Sequence, residues 1–313
     1  THSVTRNLIF GGLFSLLTMW IISSGIENGI EKWSTRLMPV LIVLLLLLIV
    51  YVLFQPGAME GLEVYLLPDL SRITDPNLIV NAMGQAFFSL SLGVGTMLIY
   101  GSYLSKEESL PKLGAIVTVV DCSIAFMAGL LIIPAMYVAQ HNGLTIFNDA
   151  GALIAGPDLI FQVLPALFDS MGAAGTFVGL IFFALMSIAA VTSSISMLEV
   201  PVSMTVEKTG ISRKKSTFLI GGTILMVSAL IILNFESLFG FVIDLTTKYS
   251  QPLLGVMLCI FAGWVMHRNK LLAEVKEGHP DVESSLFWKI WPGYVRFVCP
   301  ALILVTFWQS IQA

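Results

Sequence analysis

The sequence predicts an all-α polytopic membrane protein, and three observations carry that prediction. The chain has 313 residues, of which 56% are hydrophobic and only 12% charged, about half the charged fraction of a soluble domain. Its mean hydropathy is +0.88. The apolar residues gather into eight stretches long enough to cross a bilayer as helices. Such a chain builds no single aqueous core; it packs helices in lipid through small residues and van der Waals fit.

In chain order the spans run Leu8–Ser24, Met38–Phe54, Asn77–Tyr103, Leu113–Val138, Gly175–Val206, Thr217–Asn234, Leu238–Val265 and Ile290–Ser310. Gly25–Leu37, with its charges, reads as the loop between the first two. The third span is apolar in length but not in its centre, where Ser89, Ser91, Gly93 and Gly95 alternate with apolar residues. Two glycines that close weaken a helix, and non-helical backbone at membrane depth must be buried in protein or line a wet cavity. A broken helix with a solute or ion site near the midplane meets that demand. So does a helix whose small residues let a neighbour approach closely. Asn148–Gly172 carries Asp149, Asp158, Asp169, Pro157 and Pro165, and reads as a helical hairpin or re-entrant cap on one face, not a ninth span. Residues 1–313 read as a single transmembrane domain.

Lys and Arg orient the spans. If Gly25–Leu37 is cytoplasmic, so are the loops after Tyr103, Val206 and Val265, and together these hold twelve of the sixteen Lys and Arg; the opposite face has only Arg6 and Arg72. Eight spans then put both ends outside, which is expected of the carboxyl-terminal part of a larger transporter, or of one incompletely covered. Cys122, Cys259 and Cys299 lie in apolar segments without metal-ligand spacing and read as buried thiols. There is no nucleic-acid patch. Nothing forms a catalytic set: the four His are scattered at loops and ends. Gly93-Val-Gly95 follows no strand and is no nucleotide fingerprint.

Three polar groups lie at membrane depth. At the break from Ser89 to Gly95, freed carbonyls suit a hard cation, freed N–H groups suit an anion, and Phe87 and Phe88 offer an apolar wall. In Ala189-Ala-Val-Thr-Ser-Ser194, positions 189, 192 and 193 share one helix face. Two hydroxyls and a carbonyl without a carboxylate suit a monovalent ion, although such hydroxyls commonly bond back to their own turn. Asp121 lies inside the fourth span, too short to reach the interface, and needs a partner, a cation or a proton. Glu199 and Asp244 are weaker cases, for which a local helical ion pair, as between Asp244 and Lys248, suffices. Gln85 is a polar neighbour of the break.

Gly84-Gln-Ala-Phe-Phe-Ser-Leu-Ser-Leu-Gly-Val-Gly95 resembles the unwound sixth helix of the neurotransmitter:sodium symporter family. Gly25-Ile-Glu-Asn-Gly-Ile-Glu-Lys-Trp33 with Met38-Pro39 resembles the family's loop between helices four and five, and Thr192-Ser-Ser-Ile195 its eighth helix. The resemblance implies a partial leucine-transporter fold covering helices four to eleven, with helices one to three absent. That family is a standing example of inverted repeats and broken helices. The resemblance implies sodium as the coupled ion at two sites, each only partly present: Ala189, Thr192 and Ser193 in one, Ser89 and Asp121 in the other. It implies substrate contacts from Phe88, Ser89, Ser91, Val94, Ser193 and Met197, and an outer gate that includes Gln85 and Asp244.

The expected function is therefore sodium-coupled symport of a neutral amino acid by alternating access, in a multi-pass inner (plasma) membrane protein that is not an enzyme. Val94 and Met197 leave a wide, apolar, adaptable wall, which favours a hydrophobic or aromatic substrate. Many animal relatives have Asn where Asp121 stands and use chloride. Asp121, with Ala125 one turn on, predicts chloride independence and uptake of a proton on the return step. The expected partners are a small amino acid and the lipid bilayer, with a homo-oligomer allowed and no nucleic acid. Two other readings stay open: a truncated, non-transporting remnant or membrane partner of the same family, and a channel that uses the break as a filter.

Overall fold

The computed structural model describes residues 3–68, 70–149 and 151–312. Among them the regular structure is helical, apart from one antiparallel bridge between Phe147 and Leu153. The helices are α1 (Val4–Ser23), α2 (Lys32–Leu53), α3 (Ala58–Leu66), α4 (Pro76–Ser89), α5 (Thr96–Ser102) and α6 (Leu110–His141). There follow a single turn α7 (Gly156–Asp158), α8 (Leu164–Ser170), α9 (Gly172–Thr209), α10 (Arg213–Leu233) and α11 (Phe235–Ile243). The chain ends with α12 (Gln251–Ile260), α13 (Arg268–Gly278), α14 (Leu286–Gly293) and α15 (Cys299–Gln312).

Among the described residues, six helical stretches are long and apolar enough to cross a membrane, and Phe235–Val265 with α13, bent by 102° at the break between them, makes a seventh when the pair is counted as one span. The remaining expected span is the interrupted pair α4 and α5. Large apolar side chains such as Phe10, Leu180 and Met226 are exposed, as lipid-facing positions must be in a membrane chain. The loop expected over Gly25–Leu37 is much shorter than that. The chain turns at Gly25 (φ +99°) and is helical again from Ile26, through a wide π-type turn (Ile26–Glu31) into α2. Its charges look like a loop in sequence, but Lys32 and Arg36 sit on the first turns of a helix, where long side chains can extend toward water.

One compact unit comprises Thr1–Leu70, Cys122–Ser196 and Arg213–Phe218. Its core forms where α2 presents Leu41, Leu45, Leu48, Ile49 and Val52 on one helical stripe. Around these gather Leu131, Ala135 and Met136 of α6, Leu164, Leu167 and Phe168 of α8, and Val178, Phe182 and Leu185 of α9. The expected hairpin thus sends its helical limb into this core, after a turn closed by the Phe147–Leu153 bridge. α3 lies so close to α6 that a Cβ on Gly61 would stand 2.7 Å from Pro134 Cα. α1 is tied to α9 by the Thr18 and Ser194 hydroxyls, 3.1 Å apart. Arg213 Nε donates to the Ile22 carbonyl (3.0 Å), placing a cation at the carboxyl end of α1.

The other unit comprises Ser71–Asp121, Met197–Ser212 and Leu219–Ala313. Here α12 packs along α15, and Val275, Val282 and Trp288 make a small second core where α13, Pro280–Ser284 and α14 meet. Asp75 opens α4 by accepting from the Asn77 N–H (2.9 Å), with Pro76 in the first turn where no N–H is needed.

The expectation of three buried thiols does not hold. Cys122 is exposed, and Cys259 and Cys299 are half-buried. Faces toward lipid are as apolar as faces toward neighbours, so hydropathy cannot separate the two.

Candidate functional site

The break in the third span is real. α4 stops at Ser89, and its last carbonyls are taken by a tightening coil: Leu90 N–H donates to Ala86 O (3.1 Å), Ser91 N–H to Phe88 O (3.0 Å) and Leu92 N–H to Phe87 O (3.1 Å). The helical ladder restarts with Ile99 N–H to Gly95 O (3.1 Å). Between them Ser91 (φ +53°), Gly93 (φ +78°) and Gly95 (φ +86°) are all left-handed. For Ser91 that conformation costs about 1–2 kcal/mol, the kind of strain that collects at functional sites. The small residues also let the chain approach its neighbours. A Cβ on Gly93 would overlap the Gln251 carbonyl oxygen at the start of α12, and one on Gly95 would stand 3.3 Å from Val200 Cγ1.

Beside the break stands Asp121 of α6. The Ser89 hydroxyl lies 2.9 Å from its Oδ1 and 2.8 Å from its Oδ2, and donates to the carboxylate. Both residues are half-buried. A carboxylate inside a spanning helix requires compensation. One hydroxyl proton satisfies only part of that requirement, and a hard monovalent cation that binds oxygen could supply the rest.

In the first unit, Thr192 is buried, and its Oγ1 donates back to Ala189 O (2.9 Å) and Ile188 O (3.2 Å). The back-bonding that the sequence left open is therefore present. It also brings the Ala189 carbonyl and the Thr192 hydroxyl together as adjacent oxygens, with lone pairs remaining on both. Ser193 is exposed, as is Met197 one turn on in the second unit. Phe88 is exposed, and Ser91 and Val94 are half-buried. Of the two residues expected at an outer gate, Gln85 is exposed, and Asp244 pairs with Lys248 at 3.5 Å on its own helix. That is the local pair the sequence offered as sufficient.

Glu199 has a partner from beyond its own helix. It is fully buried, and Tyr103 Oη, just past α5, donates to its Oε1 at 2.5 Å. This bond fastens the far end of the broken span to α9 within the second unit. A carboxylate in an apolar helix signals that some donor must exist, but its position almost a hundred residues away in sequence hides which one.

With this geometry in place, comparison with other proteins is specific. A sequence profile of the Sodium:neurotransmitter symporter family matches residues 6–313. The chain is 36% identical over 312 residues to a sodium-dependent transporter of Haemophilus influenzae, covering 96% of this chain and 64% of that one. It is 30% identical over 293 residues to a sodium-dependent transporter of Methanocaldococcus jannaschii, covering 91% and 59%. The chain thus spans about three fifths of the length of these relatives. Its structure is similar to the crystal structure of MhsT in complex with L-phenylalanine, with a TM-score of 0.81 and 35% identity over 98% of this chain and 69% of that one.

Proposed function

The chain belongs to the sodium:neurotransmitter symporter family, and from that membership we propose that the protein couples inward movement of sodium to symport of a neutral, hydrophobic or aromatic amino acid, without chloride. Members of the family are transporters, not enzymes, and the chain is a multi-pass protein of the plasma membrane with the leucine-transporter fold.

The observation that carries the proposal is the pairing of Ser89 with Asp121 where α4 breaks. A carboxylate, a hydroxyl and irregular backbone together suit a dehydrated sodium ion and, through the ion, the carboxylate of an amino acid. In the first unit, Ala189, Thr192 and Ser193 offer oxygens for a second sodium. Phe88, Ser91, Val94, Ser193 and Met197 each keep the substrate-facing role the family resemblance implied, and Gln85 and Asp244 the gating roles. The apolar character of Phe88, Val94 and Met197 favours a large apolar side chain, and the phenylalanine bound to MhsT supports the same substrate class. Asp121 supplies a negative charge where chloride would otherwise serve. Sodium favours the substrate-loaded state only as far as it binds that state more tightly.

The test is uptake of labelled phenylalanine, leucine, glycine and lysine into proteoliposomes. Saturable uptake of the apolar substrates, lost when potassium replaces sodium and kept when gluconate replaces chloride, is expected. Loss of uptake on chloride removal would overturn the chloride reading. No sodium-dependent uptake of any substrate would favour a non-transporting membrane partner, and large passive current a channel.

A further inference from the structure

The second unit contains a cavity of about 380 Å³ that the symport reading leaves without a role. Its walls include Phe87 and Gly93 from the broken span, Gly255 and Cys259 from α12, and Cys299 from α15. Cys259 and Cys299, two of the three cysteines, therefore line one cavity.

The helices that carry them are held at backbone contact nearby. One turn after Cys259, a Cβ on Gly263 would stand 3.0 Å from the Cα of Arg296, which lies one turn before Cys299. Arg296 is fastened there twice: its carbonyl accepts from Trp264 Nε1 (3.2 Å), and its guanidinium lies 4.0 Å over the Trp264 ring. Close approach of this kind lets side chains as short as Cys touch, and a disulfide needs Cα atoms only roughly 4.4–6.8 Å apart.

We propose that Cys259 and Cys299 form an oxidation-sensitive latch, in which a membrane-permeant two-electron thiol oxidant joins α12 to α15 through a disulfide and arrests the element on which the broken helix rests. Chemically, two S–H bonds break and one S–S bond forms. With an azodicarboxamide as oxidant, the N=N group takes up both electrons and both protons and becomes a hydrazine. Mechanically, α12 is the seat of the break. The Gln251 carbonyl abuts Gly93, and the Phe87 ring covers Gly255 so closely that a Cβ there would overlap it. Tying α12 to α15 removes its freedom to follow the break through a transport cycle. The transport consequence rests on the symport reading; the thiol chemistry does not.

The experiment treats the protein in proteoliposomes with diamide, then denatures it, alkylates the remaining thiols and maps peptides by mass. The expected result is loss of alkylation at both cysteines, an intramolecular cross-linked peptide containing Cys259 and Cys299, and restoration by dithiothreitol. Sodium-driven uptake should fall at least fivefold and recover on reduction, while Cys259→Ser and Cys299→Ser proteins show no such sensitivity. The latch is overturned if both thiols stay alkylatable after diamide, if the cross-link joins separate molecules, or if the disulfide forms and uptake is unchanged. Untreated protein without any uptake would sink the symport reading instead, and the peptide map would still decide whether the disulfide forms.

Discussion

The Ser89 hydroxyl sits astride the Asp121 carboxylate, 2.9 Å from one oxygen and 2.8 Å from the other. A single proton shared between two acceptors leaves charge for a cation to neutralise. Asp121→Asn keeps the shape and removes that charge, so half-saturating sodium should rise about tenfold or more, equivalent to about 1.4 kcal/mol. Ser89→Ala removes one oxygen and keeps the charge, and should cost about 1 kcal/mol, or roughly fivefold. Sodium titration of uptake in the two variants checks the order. Equal or unchanged sodium dependence would contradict the assignment.

Gly93 is where the break touches α12, and there two demands coincide. Its φ of +78° is a left-handed conformation, and a Cβ would meet the Gln251 carbonyl oxygen, which is backbone and cannot rotate away. Gly93→Ala should therefore destabilise the fold by about 3 kcal/mol or more, from overpacking together with left-handed strain. Gly84, which has open space at its Cβ position, serves as the control, and Gly84→Ala should fold normally. Thermal unfolding in detergent compares them, and a Gly93→Ala protein as stable as the parent would refute the contact.

The bond from Tyr103 to the buried Glu199 makes a third prediction. Tyr103→Phe removes a donor from a carboxylate away from water, costing about 1–3 kcal/mol. Glu199→Gln removes the charge while the tyrosine can still donate, so it should be milder. Melting temperatures of both single variants and the double variant decide the matter. If Tyr103→Phe and Glu199→Gln are strictly additive, the bond has no energetic weight.

These residues also mark what a sequence can disclose. The break was legible because Ser89, Ser91, Gly93 and Gly95 oppose a helix within an apolar run, and the structure puts left-handed residues at 91, 93 and 95. Asp121 was legible as a group in need of a partner, and Ser89 answers part of that need. The start of α2 was not legible, because Lys32 and Arg36 look the same on a loop as on a helix end. Tyr103 was not legible either, since nothing local ties a tyrosine after α5 to a glutamate in α9. Nor could hydropathy tell that Cys122 is exposed while Cys259 and Cys299 line one cavity, because lipid and neighbouring helices attract the same side chains.

Glu283, outside the spans, supports a prediction about pH. Its carboxyl is held below the ordinary carboxylate range, chiefly by the hydrogen bond and then by the charge of Lys276, with a smaller pull from Arg268. A depressed folded value means that the ion pair contributes fully above the ordinary glutamate pKa of about 4.3 and is lost as pH falls through the folded value. Acid, not base, should then loosen the cluster of Val275, Val282 and Trp288 that the pair flanks. Hydrogen exchange across residues 275–288, corrected for intrinsic rates, should stay level from about pH 8 to about pH 5 and rise below that. Lys276→Met should remove most of the acid step, because only the smaller pull of Arg268 then holds the folded carboxyl below its unfolded value. Salt at about 0.5 M should flatten it, since the pair is solvent-exposed and screened. A rise in exchange already present between pH 7 and pH 5, or an acid step of undiminished size in Lys276→Met, would assign the loosening to another group.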